Sequence, residues 1–279
     1  MRLTLLTTLA MIAFAANSVL NRLALVDAGM GPAAFAVTRL AAGAVVLGVL
    51  VWGRDGGVNP ALRASLKGVA GPLSLALYML GFSFAYVSLP AGIGALILFG
   101  GVQVTMFAGA VILREAVPPQ RWLGAVLAFG GLVWLLWPGG GAAPSLAGGL
   151  LMAAAALGWG IYSLMGREAE DALGSTAVNF LLAAPLGLLA FAILPDQITT
   201  RGVVLAILSG GVTSGLGYAL WYQIVPHLGS TRAAVAQLSV PVIAMAGGMV
   251  FLSEALSLRF VIASLFVLSG VVVSMRRRR

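Results

Sequence analysis

Apolar runs of about 20 residues recur from one end of this 279-residue chain to the other. As helix, a run of that length crosses a hydrocarbon core ~30 Å thick. Lipid offers no partner to a free backbone N–H or C=O, so only helices or a closed barrel can span it. Barrel strands alternate polar and apolar residues, and these runs do not. Only 9% of the residues are charged, against about 25% in a soluble domain, so a water-facing surface could not be covered. The expected class is an all-α polytopic membrane protein in contact with a lipid bilayer.

Ten spans are expected, near 4–26, 31–52, 68–88, 91–113, 119–137, 146–166, 174–194, 202–225, 229–252 and 257–275. The first has Arg2 and an Ala-Phe-Ala at 13–15, features shared with signal peptides. Its apolar character continues to Val26 and nine spans follow, so it is read as a retained helix. An even number of spans puts both termini on one side. The tail Arg276-Arg277-Arg278-Arg279 marks that side as cytoplasmic, because Lys and Arg stay inside. With that orientation Arg2, Arg54, Arg63, Lys67, Arg114, Arg121, Arg167, Arg232 and the tail lie inside, 12 of the 16 basic residues, which supports it. The net charge of +8 is therefore topology, and no nucleic-acid partner is expected.

The chain repeats. Leu89 to Leu136 and Leu228 to Met275 share one plan: a long apolar segment, a Glu-Ala break and a second apolar segment. Laying Glu115 on Glu254 sets an offset of 139 residues, which also pairs Ala95 with Ala234, Met106 with Met245, Gly109 with Gly248 and Gly131 with Gly270. Five spans per unit is an odd number, so the second copy enters the membrane inverted, an arrangement common in secondary transporters. The units are residues 1–138 and 145–279. The Gly/Pro-rich linker is 139–144.

The chain resembles the drug/metabolite transporter superfamily, in particular its ten-helix EamA-type exporters. The resemblance rests on REAVPPQRWLGAVLAFGG at 114–131, SEALSLRFVIASLFVLSG at 253–270, YMLGFSFAYVSLPAG at 78–92 and FAANSVLNRLAL at 14–25. It covers nearly the whole chain and is closest to the bacterial branch that exports aromatic and other amino acids, and paraquat. It implies an exporter of the inner membrane. The small multidrug branch has a glutamate within its first helix; this first helix has only Asn17 and Asn21.

Helix interruptions at matching places in two halves point to a transport site. Gly100-Gly101 sits mid-span, and the offset carries it to Ser239-Val240, beside Pro241; these are the expected hinge residues. Gln103 and Gln237 flank them. Such an amide needs a partner in hydrocarbon, and either a substrate or a neighbouring helix would serve. Aromatic residues group on three spans: Tyr78, Phe82, Ser83 and Tyr86; Trp159 and Tyr162; Tyr218, Trp221 and Tyr222. Interfacial belts and plain packing also collect aromatics. The repeat-related placement instead favours a lining, which with Asn17 would suit an amphipathic or aromatic solute and hold its ammonium by cation–π contact.

All eight acids lie at or near span ends. Glu115 and Glu254 are expected to cap the helices that follow them. Arg39, about eight residues into its span, is expected to snorkel outward or to pair with Asp27. His227 reads as interfacial. The expected function is export of amino acids and related small metabolites by alternating access, as a monomer or homodimer with no cofactor and no metal. Sugars, nucleosides and organic cations are the alternative cargoes. One histidine, no cysteine and no mid-membrane acid pair leave little for a membrane enzyme, and broken helices in a repeat do not suit a scaffold.

Overall fold

A computed structural model describes residues 2–56, 68–112, 114, 117–137, 143–166, 171–237 and 239–275. Every element among them is helical. In chain order they are α1 (Arg2–Arg22) with the π segment π1 (Leu23–Asp27), α2 (Pro32–Asp55), α3 (Ala70–Ala85), α4 (Ala91–Ile112) and α5 (Pro119–Leu136). There follow α6 (Leu146–Gly166), α7 (Ala172–Ile193), α8 (Thr200–Ile207) with π2 (Leu208–Leu216), α9 (Gly217–Gln237), α10 (Ser239–Leu252) and α11 (Leu258–Met275). Six helical stretches among the described residues are long and apolar enough to cross a membrane: Arg2–Asp27, Pro32–Asp55, Ala91–Ile112, Leu146–Met165, Leu173–Ile193 and Thr200–Trp221. Three further apolar helices are shorter, at Ala70–Ala85, Ser239–Leu252 and Leu258–Ser274.

The helix starts combine local signals with a contact from a distant part of the chain. Pro32 opens α2, where its missing N–H costs nothing. The carboxylate of Asp196 then accepts from the amides of Ala33 at 2.7 Å and Ala34 at 2.9 Å, donors with no partner inside the helix. Asp171 and Thr199 cap α7 and α8 locally, each accepting from the amide three residues on, of Gly174 and Gly202.

Polar contacts gather at the two ends of the bundle. At one end Asp27 pairs with Arg201 at 2.7 Å, joining the α1–α2 and α7–α8 connections. Arg22 donates to the carbonyls of Tyr86 and Val87 at 2.9 Å and approaches Glu254 at 3.4 Å. Arg259 donates to the carbonyls of Trp134, at 3.0 Å, and Trp137, tying the start of α11 to the end of α5. At the other end Arg54 grips Asp171 through two hydrogen bonds of 2.9 and 2.6 Å, joining α2 to α7.

Small residues set the closest helix crossings, since lipid gives helices no hydrophobic reason to associate. A Cβ on Gly131 of α5 would meet Phe266, Val267 and Ala263 of α11. A Cβ on Gly270 of α11 would meet Leu127, Ala128 and Gly124 of α5. Adding 139 to each neighbour in the second set gives the first. The α5–α11 contact is therefore self-complementary, as across a two-fold axis. Arg114 and Ser253, also 139 residues apart, are the non-glycine residues with positive φ, at 54° and 53°, among those described.

Three expectations need correction. The helix that carries π2 does not end near Pro226; its backbone is helical from Thr200 to Gln237. A proline forfeits one helix hydrogen bond, which bends a helix without obliging it to stop. Glu254 does not cap α11. The left-handed Ser253 turns the chain so that the Glu254 carboxylate reaches the Ala91 amide, at 2.8 and 3.0 Å, and covers the start of α4. Ser257 caps α11, accepting from the Phe260 amide at 3.1 Å. Burial raises the Glu254 carboxyl above its ordinary range, against the pull of the Ala91 amide and Arg22. The third concerns Arg39, which neither snorkels nor pairs with Asp27. It is 0% exposed, and Asp27 is taken by Arg201. Glu115 and the tail arginines lie outside the described residues.

Candidate functional site

Five helices converge on a cavity near the centre of the bundle. Phe14 and Asn17 enter from α1, Tyr78 and Phe82 from α3, Leu98 and Phe99 from α4, Trp159 from α6 and Tyr218 from α9. The space is about 10 Å³, room for one water and no more. A solute can enter only after the helices part.

The aromatic groups form one connected set. Trp159 stands 4.9 Å from Tyr78, 5.1 Å from Tyr218 and 5.5 Å from Tyr162, ring centre to ring centre. Phe82 meets Tyr78 edge-on at 5.4 Å and Tyr86 at 4.7 Å. Phe14 meets Tyr218 at 5.7 Å and Trp221 at 5.6 Å. Edge-to-face and offset pairs each add ~0.5–1.5 kcal/mol beyond burial, so the lining is stiff where these rings meet.

A polar layer adjoins the rings. The Asn17 amide oxygen accepts from Thr213 Oγ1 at 2.6 Å, Ser209 Oγ at 2.8 Å and Ser214 Oγ at 3.2 Å. An amide oxygen has two lone pairs. Thr213 can turn its proton instead to the Ser209 carbonyl, 3.0 Å away, which leaves two donors for two acceptor sites. All three hydroxyls come from π2, whose wider turn brings positions 209, 213 and 214 to one side. The glycines of that segment let it lie against α2. A Cβ on Gly210 would overlap the Arg39 carbonyl oxygen and fall 2.8 Å from its carbon.

Arg39 completes the layer. Its Nη2 donates to Tyr78 Oη at 3.2 Å and to Ser214 Oγ at 3.1 Å. Ser214 passes its own proton to Asn17, so the three groups form a directed chain from α2 through π2 to α1. The guanidinium carbon lies 4.8 Å from the centre of the Phe82 ring and 5.6 Å from that of Tyr78.

Of the residues the sequence singled out, Asn17, Tyr78, Phe82, Trp159 and Tyr218 line the cavity. Tyr162 stands behind Trp159 and donates to Thr176 at 3.2 Å. Ser83 is buried and bonds the Met79 carbonyl and Asn21. Trp221 touches the lining through Phe14. Gln103 and Gln237 are half-buried and are not part of the cavity wall. The side chain of Tyr222 lies outside the described residues. Helix α4 continues through Gly100 and Gly101, where added Cβ atoms would meet Val267 and Leu132, or Ala156 at 2.7 Å. Ser239 begins α10 and Pro241 is its third residue. The sequence reading missed Phe14, Leu98, Phe99, Arg39 and the π2 hydroxyls. A basic residue set about eight positions into an apolar span was the available signal, since such residues are functional candidates by default.

Three comparisons place this geometry among known proteins. Residues 146–276 match the EamA-like transporter family. The whole chain is similar to an uncharacterised protein of Pseudomonas aeruginosa, 44% identical over 99% of this chain and 96% of that one. It is also similar to a probable amino-acid metabolite efflux pump of Salmonella typhimurium, 25% identical over 69% of this chain and 71% of the pump. One crystal structure shares the fold with a TM-score of 0.65 at 22% identity, covering 96% of this chain and 97% of its own. With its apolar helices crossing end to end around a buried cavity, the chain belongs to the EamA-like transporter family and is a multi-pass membrane transporter of small molecules.

Proposed function

We propose that this protein exports amino acids, aromatic ones among them, across the bacterial inner membrane by alternating access. The observation that carries the reading is the central cavity, where an aromatic wall meets a hydrogen-bonding edge: rings for an apolar side chain, and Asn17 with its hydroxyls for a polar head. The efflux-pump relative from Salmonella supports the cargo class. In this reading residues 1–138 and 145–279 are inverted five-helix repeats, with both termini cytoplasmic. The self-complementary α5–α11 contact and the paired left-handed residues at Arg114 and Ser253 support the repeat. The end-sorted contacts support the path of the chain: the α1–α2, α3–α4, α5–α6, α7–α8 and α10–α11 connections share one end. Gly100, Gly101, Ser239 and Pro241 remain the proposed hinges. Organic cations are a poor second cargo, because the buried charge next to the cavity is positive.

The test is flux. Liposomes carrying the purified protein should take up labelled phenylalanine, methionine, threonine or lysine faster than empty liposomes. No carboxyl group lies mid-span among the described residues, so uptake should follow the solute's own gradient. Absence of flux for every amino acid would refute the cargo; uphill uptake driven by a pH step alone would refute the passive coupling.

A further inference from the structure

The Arg39 guanidinium is fully buried, yet among the described residues its Nε and Nη1 atoms have no hydrogen-bond partner. That leaves one N–H on Nε and two on Nη1 unused, in a group that stays protonated in proteins. An uncompensated buried charge is among the most expensive features a protein can hold. The five described acids do not relieve it. Asp27 is paired with Arg201, Asp171 with Arg54, and Asp55 with Arg54. Asp196 covers the start of α2 and Glu254 that of α4. Among the described residues no carboxylate reaches Arg39. Besides Ser214, its partners belong to the cavity wall: the Tyr78 hydroxyl, and the faces of the Tyr78 and Phe82 rings.

We infer that Arg39 is the carboxylate anchor of the transport site, and that the anionic group of the solute takes up the unused N–H groups when Tyr78 and Phe82 move aside. A guanidinium fork matches a carboxylate with two parallel hydrogen bonds. The unliganded state holds the fork open on weak ring contacts, which an anion outcompetes. The aromatic wall around Trp159 then receives the rest of the molecule. This inference rests on the proposed transport reading and adds the charge of the solute to it: monocarboxylates are bound and their decarboxylated amines are not.

Phenylacetate separates the two readings, because it has the ring and the carboxylate and lacks the ammonium. Labelled phenylacetate should bind the detergent-purified wild-type protein and be displaced by phenylalanine but not by phenethylamine. Arg39→Gln should weaken phenylacetate binding at least tenfold. Arg39→Lys, which keeps charge and loses the fork, should fall between. The wild-type comparison needs no variant, so a poorly folding Arg39→Gln does not blunt the test. Equal binding of phenylacetate and phenethylamine, or no binding of phenylacetate, would overturn the anchor. Unaltered phenylacetate affinity in a folded Arg39→Gln would do the same. If phenylacetate binds through Arg39 while no amino acid is carried, the anchor stands and the amino-acid reading falls.

Discussion

Replacing Gly210 with valine is expected to remove most of the folded protein. The α-carbon of Gly210 lies so close to α2 that an added Cβ would overlap the Arg39 carbonyl oxygen and sit 2.9 Å from the Arg39 α-carbon. Backbone cannot give way as the tip of a flexible side chain can. Overpacking typically costs ~1–3 kcal/mol. Here the displacement also separates Ser214 from Arg39 and Asn17, and losing a hydrogen bond to a charged group costs a further ~1.5–3 kcal/mol. Both terms fall on a stability of only ~5–15 kcal/mol for a folded domain. Gly48 is the control. It lies in α2, and a methyl group added there would have no neighbour within 4 Å, so Gly48→Ala should be neutral or stabilise by ~0.5–1 kcal/mol. Size-exclusion profiles and thermal unfolding of both variants check the contrast. A monodisperse Gly210→Val melting near wild type would show that π2 does not need its close seat on α2.

The second large effect is expected at Trp159. Its ring contacts Tyr78, Tyr162 and Tyr218, and so links α3, α6 and α9 across the cavity. Truncation to alanine would cost ~3–5 kcal/mol through the void it leaves and would confuse stability with transport. Trp159→Leu fills more of the space but loses three ring–ring contacts and the face offered to an aromatic solute. Phenylalanine flux per folded molecule should drop at least tenfold, with methionine flux falling less. Trp159→Phe should recover much of the loss. Flux unchanged in Trp159→Leu would assign the ring to packing alone.

Much of the fold could be read from residue order, because lipid leaves a chain few choices. Apolar runs marked the helices, and the 139-residue offset relates the two sides of the α5–α11 contact and the left-handed residues Arg114 and Ser253, although neither feature was foreseen from it. The aromatic positions were legible because three spans shared a pattern. Three features were not. Arg39 looked like a snorkelling base because exposure depends on which helix covers it, and π2 lies over α2 at that level. Glu254 was assigned to the nearest helix in sequence, while the turn at Ser253 delivered it to α4. The role of Ser209, Thr213 and Ser214 depended on the π segment: at ordinary helical pitch these positions spread over a wider arc.

One cavity is expected to open in turn to each side of the membrane, although in this structure it admits only about one water. The chain has no cysteine, so a single Leu98→Cys on the α4 wall gives one thiol to follow. Membrane-impermeant maleimide should label it in right-side-out and in inside-out vesicles, and saturating phenylalanine should slow labelling from both sides. Labelling from one side only, or labelling that phenylalanine leaves unchanged, would contradict alternating access at this cavity.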